Sequence, residues 1–306
     1  WMEVDSWSPD LMTGGTRGLF AGGFVSPATK NEIDYINIAT TGDAIDFGNL
    51  TVARRESSGF SNRTRALWAG NAVPGADETI DVVTISSTGN ASDYGDLLSA
   101  TNNCQAFGGV ANATRGMFAG GTTGTRQDII QYTTIDTNGN TIDFGNLTAA
   151  TSAPAGAGNA TRGLFMGGTA PGNVNTITFV TISTQGNAAD FGDLTLADQS
   201  GGASSNAVRA LYFTSDAATI NYLTIATLGD ALDFGDLTSA TNHYAGGSPS
   251  SSTRACYGGG GFPSTTNVID YVQIMTTGNS VDFGNLTVAR SLMMRGNCSN
   301  GHGGLG

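Results

Sequence analysis

The chain has 306 residues, 39% of them hydrophobic, with 45 glycines against 7 prolines and only 12% charged residues, a balance that supports a core but excludes an ordinary helical enzyme. A formal net charge of −12 with Lys30 as the single lysine leaves no basic stripe to neutralise phosphates, which argues against nucleic acid and anionic membranes as partners. No apolar run approaches the roughly 18 residues that would span a bilayer, so no membrane insertion is expected.

The opening Trp1-Met2-Glu3-Val4-Asp5 lacks a basic or apolar leader region, and residues 1–15 read as an N-terminal tether or extension. From residue 16 to residue 306 one unit of about 47 residues recurs six times. Each unit begins with a T-R-like step at Arg17, Arg65, Arg115, Arg162, Arg209 or Arg254, followed by an apolar run such as GLFAGG. Next comes an I-D-Y-like run opening at Ile33, Ile80, Ile130, Ile177, Ile220 or Ile269. A glycine turn then leads to D-F-G-N/D-L at Asp46, Asp93, Asp143, Asp190, Asp233 or Asp282. These runs, bounded by Gly, Asn, Thr or Ser, predict strands two, three and four of a blade; the weaker stretch after A-R, for instance 56–61, predicts strand one. Four antiparallel strands repeated six times predict an all-β fold, a six-bladed β-propeller.

From the Ile to the Asp the spacing is 13 residues in every unit, whereas from Arg to Ile it ranges from 11 to 16 and from Asp to the next Arg from 19 to 22. Length variation is therefore confined to the connection between strands two and three and to the step into the next blade. In an up-and-down blade both open on the same face of the disc, which marks that face as the functional one. Counting 19 residues on from Asp282 reaches Gly301, so 292–300 is expected to supply the first strand of blade one and close the ring.

Cys104, Cys256 and Cys298 have no CxxC spacing and are odd in number, which predicts small buried hydrophobes rather than a disulfide framework or metal site. His243 and His302, the two histidines, both fall in variable segments, and no D-x-[DN]-x-[DN]-G loop is present, so no metal and no cofactor are expected. The six Arg and six Asp of the repeat read as scaffold, each D-F-G aspartate being expected to accept backbone or Arg hydrogen bonds as a buried carboxylate. The aromatic column Phe20, Trp68, Phe118, Phe165, Tyr212 and Tyr257 reads as blade-to-blade core. Eight N-x-S/T sequons begin at Asn49, Asn62, Asn90, Asn112, Asn146, Asn159, Asn285 and Asn297; Asp fills the position of Asn49, Asn146 and Asn285 in the other units, which favours a turn role over glycosylation.

The succession of A-R, a strand ending in Gly-Gly (Gly22-Gly23, Gly120-Gly121, Gly167-Gly168, and the run Gly258 to Gly261), Asp-Tyr, and an aromatic before Leu resembles the kelch motif, from Arg17 to Arg290. The kelch Trp is replaced by Phe47, Tyr94, Phe144, Phe191, Phe234 and Phe283, and the Tyr-to-aromatic distance is longer here. The strings T-R-G-L-F-A-G-G and D-F-G-N-L-T also resemble repeats in virion and tail-fibre proteins of marine tailed phages, which implies a structural or host-binding role. The sialidase Asp-box is approached at Ser280 to Thr287 but lacks its final Trp.

Surplus Gly, Thr, Ser, Asn and Ala over Lys and Glu suggests a hydrogen-bonding surface of extracellular or virion type. The expected function is a non-enzymatic recognition or structural module binding host surface glycan or a neighbouring virion protein. Loop residues Lys30, Asp77, Glu78, Arg126, Asn173, Asn175 and Asn267, with His243, are the candidate contacts. The alternatives are a propeller glycosidase or lyase, which needs two convergent carboxylates, and a kelch-type interaction adaptor.

Overall fold

Alternating apolar residues become strands in all six units of the computed structural model, which describes residues 16–305 apart from 57, 71–77, 99–107, 216, 240–245, 262–264 and 294. Blade 1 holds β1 (Arg17–Val25), β2 (Ala28–Asn37) and β3 (Ile45–Asn49); blade 2 holds β4 (Ser58–Ser61), β5 (Arg65–Ala69), β6 (Thr79–Thr84) and β7 (Ser92–Asp96). Blade 3 follows with β8 (Gly108–Ala111) to β11 (Ile142–Asn146), blade 4 with β12 (Ala155–Gly158) to β15 (Ala189–Asp193), and blade 5 with β16 (Gly202–Ser205) to β19 (Leu232–Asp236). Blade 6 has β20 (Arg254–Gly258), β21 (Val268–Gln273) and β22 (Val281–Asn285). Each sheet runs antiparallel in sequence order, and the whole is a six-bladed β-propeller.

Blades 1 and 6 complete their fourth, innermost strand with isolated bridges. In blade 6 these are Gly247 to Gly258 and Ser250 to Ala255. In blade 1 the C-terminal segment does it: Leu19 N–H donates to the Cys298 carbonyl at 2.9 Å, Asn300 N–H to that of Arg17 at 3.3 Å, and Ser291 bridges Phe24. The expected ring closure is thus formed by residues 291–300. The expected tether, residues 1–15, lies outside the described residues.

The innermost strands SGFS, GGVA, AGAG and GASS are small and wholly buried. Small residues are required because the strands approach to backbone contact around the axis: a Cβ on Gly156 would sit 2.2 Å from the Gly109 carbonyl oxygen. Serine hydroxyls cross these junctions. Ser204 Oγ donates to the Ser248 carbonyl, Ser205 Oγ to Gly158, Ser250 Oγ to Ser205 and Ser61 Oγ to Ser299.

Further out, the aromatic column is buried throughout and packs blade on blade, with Phe60 against Phe118 and Phe213 stacked on Tyr257. Each repeat arginine reaches into the next blade. Arg17 donates to the Ile85 carbonyl, Arg65 to Ile135, Arg115 to Ile182, Arg162 to Ile225, Arg209 to Ile274 and Arg254 to Ile38. Five of them also lie over an aromatic ring of their own blade, as Arg115 does over Tyr132 at 4.9 Å. The D-F-G glycine is where the next blade's hairpin docks: Gly145 has φ +147° and a Cβ there would lie 2.4 Å from the Gly186 oxygen. Asn62, Asn112 and Asn159 use their amide nitrogens to bond the next blade at Ala113, Ala160 and Ala207, a structural use of three sequon asparagines.

Two expectations are corrected. The D-F-G aspartates Asp46, Asp93, Asp143, Asp190, Asp233 and Asp282 are all exposed, and the repeat arginines bond carbonyls rather than these carboxylates. A bulge between Ile130 and Gln131, repeated in every blade, shifts the register of strand four against strand three and turns the Asp outward on the outermost strand. The buried carboxylates are one strand inward, at Asp34, Asp81 and Asp270. Lys30, expected in a loop, lies instead on a strand: β1 and β2 continue as a hairpin that pairs Gly23 with Lys30 and Val25 with Ala28.

His302 is buried rather than incidental to the surface. Its Nε2 lies 2.7 Å from the Ser61 carbonyl oxygen, and its Nδ1 accepts the Gly304 N–H at 3.1 Å. The tail beyond it, a 3-10 turn at Gly303–Leu305, abuts Asn206, Gly158 and Ala111 at the ends of three blades' inner strands, while Arg63 of blade 2 donates to the Leu305 carbonyl. The tail therefore caps one end of the axis.

Asp143→Ala is expected to leave the melting temperature essentially unchanged, whereas Asp34→Ala, which strands the buried Arg290, is expected to cost about 3–5 kcal/mol in denaturant unfolding. Burial lowers the His302 pKa from 6.5 to about 4. Protonation is then favoured in the unfolded chain, so stability falls as pH drops from 6.5 towards 4, by up to roughly 3 kcal/mol. His302→Gln should be less stable than wild type at pH 7, and the gap should narrow on acidification; a constant gap across that range contradicts this assignment.

Candidate functional site

The face carrying the blade-to-blade steps is tied to the strand two-to-three loops by backbone bonds: Arg54 N–H to the Lys30 carbonyl, Thr151 to Gln127, Asp198 to Val174 and Arg290 to Thr266. The two variable segments of the sequence thus share one face. Just beneath it, each strand three carries a polar residue after its Ile: Asp34, Asp81, Gln131, Thr178, Asn221 and Asp270, all buried. These meet the segment after D-F-G-x-L of the preceding blade. Thr51 bonds Asp81, Thr195 bonds Asn221, Thr238 bonds Asp270 and Thr287 bonds Asp34.

Three residues beyond that Thr, sequence identity changes from junction to junction. Arg54 forms a fully buried ion pair with Asp81 at 3.1 Å, and Arg290 forms one with Asp34 at 3.1 Å. Such pairs hold their geometry because neither charge can be abandoned inside the protein. At the junction of blades 4 and 5 the same position holds Asp198, buried and bonded by Tyr212 Oη, Ser215 N–H and Ser215 Oγ.

Arg295 lies beside this cluster. The closing segment has ten residues from Arg290 to Asn300, where eight separate Arg54 from Asn62, Thr151 from Asn159 and Asp198 from Asn206. The additional length brings Arg295 alongside β4 of blade 2, where its carbonyl accepts the Gly59 N–H at 2.7 Å, while its Nη2 donates to Ser200 Oγ of blade 5 at 3.1 Å. A contact joining the inner strand of blade 1 to blades 2 and 5 places the side chain on the axis. It is 2% exposed, and its Nε and Nη1 have no hydrogen-bond partner among the described residues.

Burial lowers the Arg295 pKa, opposed by the negative charges of Glu56 and Asp198. Burial also holds the phenols of Tyr212 and Tyr257 above their usual range, with Asp198 adding to both, so they remain donors. Glu56, Ala153, Ser200 and Leu292, each two residues past the junction position, adopt left-handed backbone with φ of 50° to 63° at the start of the inner strands. Backbone in this sparsely populated region turns each chain sharply into the axis.

The loop residues expected to bind are spread around the rim. Lys30 pairs with Glu32 at 3.4 Å on β2, the Glu78 carbonyl accepts the Leu97 N–H, and exposed Arg126 bridges Thr122. Asn173 bridges Thr169, while the carbonyls of Asn175 and Asn267 accept from Leu194 and Leu286. No hydrogen bond or ion pair joins any two of these residues; Asp77 and His243 lie outside the described residues. Sequence reading passed over Arg295 and Asp198. Their signals were the longer closing segment and the charge change at one repeat position. Among the described residues no group of three or more His, Cys, Asp or Glu could hold a metal.

No family model and no curated protein matches the chain. Solved structures share its architecture: one described as "Structure of YjhT" superposes with a TM-score of 0.62 at 8% identity, covering 79% of this chain and 87% of its own. At that identity the likeness is one of fold, the β-propeller.

Proposed function

We propose that the chain is a non-enzymatic recognition module displayed on a virion or cell surface, with the loop face binding a host surface glycan. The observation that carries this reading is Arg295, a buried guanidinium on the axis whose Nε and Nη1 have no hydrogen-bond partner among the described residues. A planar donor pair of this kind suits a sugar carboxylate or vicinal hydroxyls, and burial strengthens each such bond. The fibre-like wording of the repeats supports the virion setting, and a neighbouring structural protein is the second class of partner.

Catalysis by paired carboxylates is disfavoured by the way Asp198 is held: three donors, Tyr212 Oη and the Ser215 N–H and Oγ, already engage it. The decisive experiment incubates the protein with surface polysaccharides and a glycan array, scoring retention and depolymerisation together. Retention without cleavage, weakened at least about tenfold in Arg295→Gln, is expected. Depolymerisation would replace this reading with the glycosidase or lyase alternative.

A further inference from the structure

At two of the six blade junctions a buried aspartate of strand three is answered by a guanidinium from the preceding blade. The residue three beyond the conserved Thr is the arginine in both, pairing Arg54 with Asp81 and Arg290 with Asp34. At the junction of blades 5 and 6 strand three again carries an aspartate, Asp270, but position 241 of the sequence is a threonine rather than an arginine. The local geometry is nevertheless the same as at Asp34. Thr238 N–H donates to Asp270 Oδ2 at 3.0 Å and its Oγ1 to Oδ1 at 2.8 Å; Thr287 does so to Asp34 at 3.2 and 2.7 Å.

What differs is the third contact. Arg290 Nη2 reaches Asp34 Oδ2 at 3.1 Å, but among the described residues Asp270 has only Thr238. Beside Asp270 there is a cleft of about 120 Å³, lined by Thr238, Tyr257, Gly259, Thr266, Val268 and Asp270 itself. A comparable cleft of about 80 Å³ at the junction of blades 3 and 4 ends on neutral Thr178. Asp270 is 4% exposed, so its carboxylate meets a cleft rather than bulk water.

We infer that the Asp270 cleft is a docking site for an arginine side chain of a basic partner protein, which supplies in trans the guanidinium that Arg54 and Arg290 supply in cis. The two internal pairs show that this carboxylate environment accepts a guanidinium. The net charge of −12 favours approach of a cationic partner over an acidic one. The site does not depend on the Arg295 reading, since its ligand carries the opposite charge.

The test is an amide-resolved NMR titration with the tripeptide acetyl-Gly-Arg-Gly-amide and its citrulline counterpart, isosteric but uncharged. Saturable shifts at Gly259, Val268 and Thr238 are expected with the arginine peptide and not with citrulline. Asp270→Asn should weaken binding at least about tenfold. Its fold should persist, because Asn221 already occupies this position and accepts the same two Thr195 bonds. Equal shifts with both peptides, an unaltered titration in Asp270→Asn, or no shifts at about 50 mM peptide, well above the millimolar range expected of a single ion pair, would overturn the inference.

Discussion

Six strand edges converge on the axis of the ring, and each carries N–H and C=O groups that no further strand can pair. Leaving such groups buried without partners costs about 1–3 kcal/mol each, so the propeller depends on how this inner edge is satisfied. Glycine, alanine and serine solve it together: the small residues let backbones touch, and hydroxyls from one blade bond carbonyls of the next. The C-terminal segment is the sixth member of this ring. Ser299 Oγ donates to Ser250, and its N–H donates to Ser61 Oγ, so the chain end is joined to blades 6 and 2 at once.

The outer parts follow from that closure. Once the inner strands are in contact, each D-F-G glycine meets the turn glycine of the next hairpin, and each T-R arginine spans to a carbonyl one blade on. These contacts are common to the ring and are scaffold. Individuality begins at the junction residues beneath the loop face. There two junctions hold buried ion pairs, a third holds a hydrogen-bonded Asp198, and the lengthened closing segment carries Arg295 to the axis.

The sequence shows the blade count, the constant hairpin and the closing strand, because all three are spacings and spacings survive in a linear string. Strand alternation was less informative about Asp143: it distinguishes two faces, but a bulge shifts the pairing and reassigns which face is covered. The buried Asp34, Asp81 and Asp270 stood in the conspicuous I-D-Y run and yielded no signal until the junction partners, on the preceding blade, were known. Arg295 was hidden differently. It belongs to no repeated motif, and only the two additional residues of its segment set it apart.

The account makes the closing strand part of the core rather than a frayed end, and native-state hydrogen exchange of the intact chain measures this directly. The amides of Leu19 and Gly59, which donate to Cys298 and Arg295, should exchange only through global unfolding, with the same free energy as amides in the central strands of blade 4. Exchange of these two amides by a low-energy local opening, while blade 4 stays protected, would contradict a ring held shut by its C-terminus and with it the fixed position of Arg295.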